Sequence, residues 1–98
     1  LATNERPQIA KVYGAWVYLD KGRAYGLRMN ARLVVSEAAG IEGHVVAFYG
    51  PELAISSPRG YPVDEGAIGF IRQGQRKTRV GQSLSFDETK YPTPWPPQ

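Results

Sequence analysis

A chain of 98 residues holds one domain and not two, because half that length buries too little surface to keep a core of its own. With 42% hydrophobic and 21% charged residues it is neither disordered nor collagen-like, and a formal net charge of +3 favours solubility slightly more than it argues for an anionic partner. The lack of cysteine removes disulfides, thiol nucleophiles and zinc-thiolate sites, while leaving the compartment open.

Eleven Gly and eight Pro interrupt helices and mark tight turns, so many short elements are expected. The longest apolar run, Val45 to Tyr49, is strand-sized and far from the ~20 residues that cross a bilayer. Leu1 stands where an initiator Met would, which reads as an excised or processed piece of something longer.

Taken in chain order, residues 1–7 read as a flexible lead-in and Gln8 to Tyr13 as the first strand. Gly14-Ala15 makes a turn or bulge, and Trp16 to Leu19 the second strand, at a density of aromatic and β-branched residues that suits a half-buried pleated surface. Asp20-Lys21-Gly22 reads as a turn with Gly22 at positive φ. Arg23 to Asn30 shows no sustained alternation and is expected to be an ordered loop, with Leu27 and Met29 turned inward to plug one end of a barrel. Leu33-Val34-Val35 suits a central strand, closed by a turn at Glu37 to Gly40. Ile41 to Tyr49 is the longest strand candidate: Ile41, Gly43, Val45, Ala47 and Tyr49 fall on one face, Glu42, His44, Val46 and Phe48 on the other.

Gly50-Pro51 breaks the chain and Leu53-Ala54-Ile55 resumes it. Ser57 to Gly66 is the longest irregular stretch and the leading functional loop by length. Ala67 to Arg72 is a further strand, Gly74 turns into Arg76 to Val80, and Ser83 to Phe86 reads as the last strand. From Asp87 onward the composition shifts to Tyr91-Pro92-Thr93-Pro94-Trp95-Pro96-Pro97, a linker or strap that favours polyproline geometry. The expected architecture is all-β: a small SH3-like or related barrel of about seven short strands over residues 8–86, with a Pro-rich tail over 87–98. A barrel also removes exposed sheet edges.

No constellation for catalysis emerges. His44 is the single histidine, which excludes His pairs and multi-His metal sites. The serines lack a glycine-flanked elbow, Gly66-Ala67-Ile68-Gly69 lacks phosphate-loop spacing, and the adjacent pairs Asp64-Glu65 and Asp87-Glu88 point apart on an extended chain. No cofactor or metal is expected. Arg72, Arg76, Lys77 and Arg79 crowd together without an acid among them, and Arg23, Arg28 and Arg32 gather near Tyr25. Such patches beside aromatic strands can hold single-stranded nucleic acid, or can simply be a solvated hairpin tip. Trp16, Tyr13 and Tyr18 read as core or cross-strand pairs before they read as a stacking platform. Trp95 reads either as a lid folded over an apolar opening or as an anchor that a partner grips. Arg59 and Tyr61, in the long loop, are candidate partner contacts.

The run from Val12-Tyr13-Gly14 through Val17-Tyr18-Leu19-Asp20-Lys21-Gly22-Arg23-Ala24-Tyr25-Gly26-Leu27-Arg28 to Arg32-Leu33-Val34-Val35 resembles bacterial envelope barrels: strand, turn, strand, glycine, three residues, glycine-leucine, strand. It is similar to the SH3-like C-terminal domain of the flagellar assembly protein T family, and less closely to the β-domains of MreC-type rod-shape proteins. The resemblance implies a non-enzymatic assembly module in the periplasm or cell envelope, binding a protein partner or a cell-wall component. Met29-Asn30 stand where those families usually place a glycine or acid, and the Pro58 to Gly66 loop and the tail have no counterpart, so no functional residue is carried over. Read from the loop, the basic segment and the tail themselves, the expected contacts are Arg59, Tyr61, Arg72, Arg76, Lys77, Arg79 and Trp95. The alternative is a cytoplasmic nucleic-acid-binding barrel using the Arg72 to Arg79 hairpin.

Overall fold

Gly14-Ala15 separates two strand-forming runs by two residues, and the chain turns there as a tight hairpin. A computed structural model of the chain describes residues 6–36, 40–72 and 77–90. In it β1 (Ile9–Tyr13) and β2 (Trp16–Leu19) pair antiparallel, with Tyr13 opposite Trp16 and Gly14 at φ 63. A positive φ at the first of two loop residues suits the right-handed twist of the flanking strands, and glycine takes it without steric cost. The other strands are β3 (Ala31–Val35), β4 (Glu42–Tyr49), β5 (Gly66–Ile71) and β6 (Leu84–Lys90). One-turn 3-10 helices occupy Arg23–Tyr25 and Pro51–Leu53.

All pairings are antiparallel, in the order β1-β2-β5-β4-β3-β6. The sheet curls until its two edge strands meet at one end. Gln8 bridges Ser83, the Ile9 N–H donates to the Gln82 carbonyl at 2.9 Å, and the Leu84 N–H donates to the Pro7 carbonyl at 2.9 Å. The fold is thus all-β and barrel-like, as expected, with six strands among the described residues where about seven were predicted. No helix among the described residues is long and apolar enough to cross a membrane.

Inside lie Ile9, Val17, Leu19, Leu33, Val35, Ile41, Val45, Ala67, Ile71 and Leu84, with Leu27 sealed in from the 22–30 connection. The interior is narrow. A β-carbon on Gly69 would stand 2.6 Å from Leu33 Cδ1 and 3.2 Å from Val17 Cγ2, so this position is small because its neighbours already fill the space. β5 therefore sends the small residues Ala67 and Gly69 inward along with Ile71, and turns Ile68 and Phe70 outward.

Several sequence expectations are corrected. Between Val45 and Ala47 the β4–β5 register slips, and a slip of one residue exchanges the faces beyond it. Ala47 pairs with Ile68, whereas Phe48 pairs with buried Ala67 and packs against the core, so Ala47 and Tyr49 do not share the face of Val45. Gly22 has φ −133, not a positive value. Met29 is 44% exposed while Leu27 is fully buried, so only one of the two plugs the barrel. Leu53-Ala54-Ile55 forms no strand: Leu53 ends a 3-10 turn and Ala54 caps it at φ 54. Lys77 to Val80 belong to no strand, which leaves the described part of the Arg76 to Val80 expectation without a hairpin arm. β6 runs on to Lys90, opposite Ala31, so pairing continues past the Phe86 boundary.

Candidate functional site

The outward residues of β1, β2, β5 and β4 lie in rows set by the pairing register. Tyr13 stands opposite Trp16, Trp16 opposite Phe70, and Phe70 opposite His44; beside this row, Lys11 faces Tyr18, Tyr18 faces Ile68, and Ile68 faces Ala47. Trp16 and Phe70 meet edge to face at 5.0 Å between centroids, and Tyr18 meets Tyr49 likewise at 5.6 Å. Such cross-strand aromatic pairs each contribute roughly 0.5–1.5 kcal/mol beyond the area they bury. They also make a continuous apolar surface on the outside of the barrel.

This surface holds a shallow, open groove of about 420 Å³ lined by Tyr13, Trp16, Tyr18, Val46, Ala47 and Ile68. Its lining carries no charge. Lys11 Nζ sits 5.7 Å from the Tyr18 ring centre, and Tyr13, 69% exposed, forms the outer rim. His44, tilted against Phe70 at 6.3 Å, has its pKa lowered by burial, so the imidazole beside this face is neutral at pH 7. Tyr49 packs closely against Gly66 and donates to the Leu19 carbonyl at 2.6 Å. Burial, reinforced by Asp20, Tyr18 and Tyr61, pushes its phenol well above the ordinary value of 10.0, so beside Tyr18 it is a hydrogen-bond donor and not a base.

The long loop serves a different end. Arg59 Nη1 donates to the buried Asp20 Oδ2 at 3.2 Å, and the Tyr61 hydroxyl donates to the same oxygen at 3.4 Å. The Gln8 N–H donates to Asp20 Oδ1 at 2.9 Å, and Lys21 Nζ donates to the Tyr61 hydroxyl at 3.0 Å. The two loop residues expected to meet a partner are thus engaged in clasping the loop to the end of β2.

Of the basic segment, Arg72, Lys77 and Arg79 are exposed and none lines the groove; Arg79 donates through its backbone N–H to Gln82 Oε1 at 2.8 Å. Arg76 and Trp95 lie outside the described residues. A second hollow, about 310 Å³, is bordered by Arg23, Phe48, Glu52, Asp64 and Glu65. Within it Arg23 stacks on Phe48 at 4.1 Å and bonds Glu65 at 2.7 Å. Among the described residues no three His, Asp or Glu side chains gather as a metal site.

Sequence reasoning placed Tyr13, Trp16 and Tyr18 as cross-strand pairs but missed Val46, Ala47, Ile68 and Phe70 as members of one exterior surface. The signal was present in β5, where Ala67 and Gly69 alternate with Ile68 and Phe70. Fold and surface together define a small barrel-like β-domain with an aromatic outer groove. No family model matches the chain, and no curated protein or solved structure matches it.

Proposed function

We propose that this chain is a non-enzymatic protein-interaction module of a larger bacterial assembly at the cell envelope, of flagellar or cell-wall type, and that it holds an extended apolar segment in the groove of Tyr13, Trp16, Tyr18, Val46, Ala47 and Ile68. The observation that carries the binding reading is the outward placement of Ile68 and Phe70 beside Trp16, while Ala67 and Gly69 face the core. A sheet that gathers large apolar and aromatic side chains on its outer face presents the kind of patch that marks an interaction surface. An open groove with an uncharged, largely aromatic lining suits an extended backbone that brings apolar side chains and few charges. The envelope setting is supported by the resemblance of residues 12–35 to envelope barrels.

Selection of binders from a random peptide library, with mapping of amide shifts on the labelled protein, tests this reading. Enriched peptides are expected to be apolar, aromatic or proline-bearing and to shift Tyr13, Trp16, Val46 and Ile68. Failure to enrich any peptide, or shifts confined to the 57–65 loop, refutes it. Nucleic acid is the second reading, but Arg72, Lys77 and Arg79 do not line the groove, so phosphate contacts and base stacking do not fall on one track. Tight, steeply salt-dependent binding of a short oligonucleotide would favour it over the first.

A further inference from the structure

The outer groove is uncharged along its lining and cationic at one end. Lys11 faces Tyr18 across the β1–β2 ladder, and its Nζ lies 5.7 Å from the centre of the Tyr18 ring that lines the groove. At that separation a ring face attracts an ammonium, so the charge is drawn in over the groove wall. Among the described residues no carboxylate pairs with Lys11: Asp20 is held by Arg59, Glu42 by Arg32 and Glu65 by Arg23, while Glu52 and Asp64 border the other hollow. Arg72 brings a second exposed cation to the same side. It follows Ile71, whose N–H donates to the Ala15 carbonyl at 2.8 Å, so it stands by the β1–β2 turn, and no described acid pairs with it either. The lining comes from β1, β2, β5 and β4, which are neighbours in that order, so the groove runs across the strands. Three interstrand spacings of about 4.8 Å make about 14 Å, a distance that about four residues of extended chain cover. Lys11 and Tyr13 mark its β1 end, and Val46 and Ala47 its β4 end.

We propose that the occupant of the groove is an extended segment of a partner protein in which one acidic residue adjoins about four apolar residues, the carboxylate meeting Lys11 Nζ over β1 and the apolar side chains lying between Trp16 and Val46. The inference rests on the reading of this face as a site for extended apolar segments, and names the charge that segment carries and its polarity across the sheet. Charge complementarity decides the choice. A basic segment would bring like charges to Lys11 and Arg72, and an uncharged one would cover Lys11 without giving it a counter-ion. A carboxylate at the β1 end answers the cation and leaves the uncharged lining to apolar side chains. Because Lys11 is exposed on the rim, the pair contributes on the order of two- to five-fold in affinity and acts more on specificity and on the rate of encounter.

Selection from a random heptapeptide library against the full chain, and against its Lys11→Glu and Ile68→Glu variants, tests the proposal. Wild type is expected to enrich Asp or Glu beside a run of apolar residues, Lys11→Glu to exchange that acid for Lys or Arg beside the same run, and Ile68→Glu to enrich neither. Ala47→Glu, at the β4 end, is the second groove variant where the amide spectrum of Ile68→Glu shows that it does not fold. In the tightest wild-type peptide, made synthetically, replacing the acid by its amide is expected to raise Kd about two- to five-fold against wild type and to leave Kd unchanged against Lys11→Gln. The difference is expected to shrink as salt rises towards about 1 M. Apolar peptides enriched with no preference for an acid, or an acid preference that Lys11→Gln retains, overturn the acidic partner and leave the groove reading standing. No enrichment by wild type, or enrichment that neither groove variant removes, overturns both. A wild-type dimer in sedimentation that Ile68→Glu or Ala47→Glu dissociates overturns the proposal in favour of a second copy of this chain as the occupant.

Discussion

Arg59→Ala separates a loop that binds partners from a loop that clasps the barrel. The Asp20 side chain is fully buried and Arg59 is 29% exposed, with Nη1 3.2 Å from Oδ2. Hydrogen bonds to charged groups contribute about 1.5–3 kcal/mol, and removing one partner of a buried carboxylate adds the cost of leaving the charge undersatisfied. The partial exposure of the guanidinium screens the pair, which argues for the lower end, about 1.5–2 kcal/mol. For a domain of this size that corresponds to a fall in Tm of about 10 °C, since each kcal/mol shifts the midpoint by roughly 4–8 °C. Urea unfolding of wild type, Arg59→Ala, Asp20→Asn and the double variant closes a thermodynamic cycle, with a coupling energy of about 1 kcal/mol or more expected between the two positions. If Arg59→Ala stays within about 0.5 kcal/mol of wild type, as an ordinary surface substitution does, Arg59 does not clasp the loop to the barrel.

Tyr49→Phe removes the buried bond to Leu19 and is expected to lower stability by about 1 kcal/mol in urea unfolding. Because the folded-state pKa of Tyr49 is raised above the ordinary 10.0, the stability tied to the neutral phenol is fully present below pH 10 and declines as pH rises beyond it; Tyr49→Phe should flatten that alkaline decline. His44 behaves in the opposite sense: its pKa is lowered from 6.5 by burial, so its contribution is present above pH 6.5 and is lost as pH falls through the depressed value. A proton titration of the imidazole should give a midpoint below 6.5, and His44→Gln should reduce the acid sensitivity of unfolding. Leu27→Ala should cost about 2–5 kcal/mol through the cavity it opens, whereas Met29→Ala should stay within about 0.5 kcal/mol by calorimetry; equal losses would contradict the assignment of Leu27 as the single plug of that connection.

What the sequence alone determined is local. Strand propensity and chain breakers placed β1, β2, β3 and most of β4 and β5, because Gly14 and Gly50-Pro51 act on neighbouring residues and need no distant partner. The strand-only class came from the same local signals. Tertiary structure alone decided which face of each strand meets the core. In β5 both alternating sets are apolar, so nothing in Gly66 to Ile71 says that Ala67 and Gly69 go inward; the crowding of Leu33 and Val17 around Gly69 decides it. The slip at Val46 is likewise set by pairing with β5, and it sends Phe48 to the core and Ala47 to the groove. Arg59 and Tyr61 read as free loop residues until the fold brings Asp20, far away in sequence, beneath them. The exterior groove joins residues of four strands, and a surface assembled from side chains distant along the chain comes into being only when the sheet curls and its register is set.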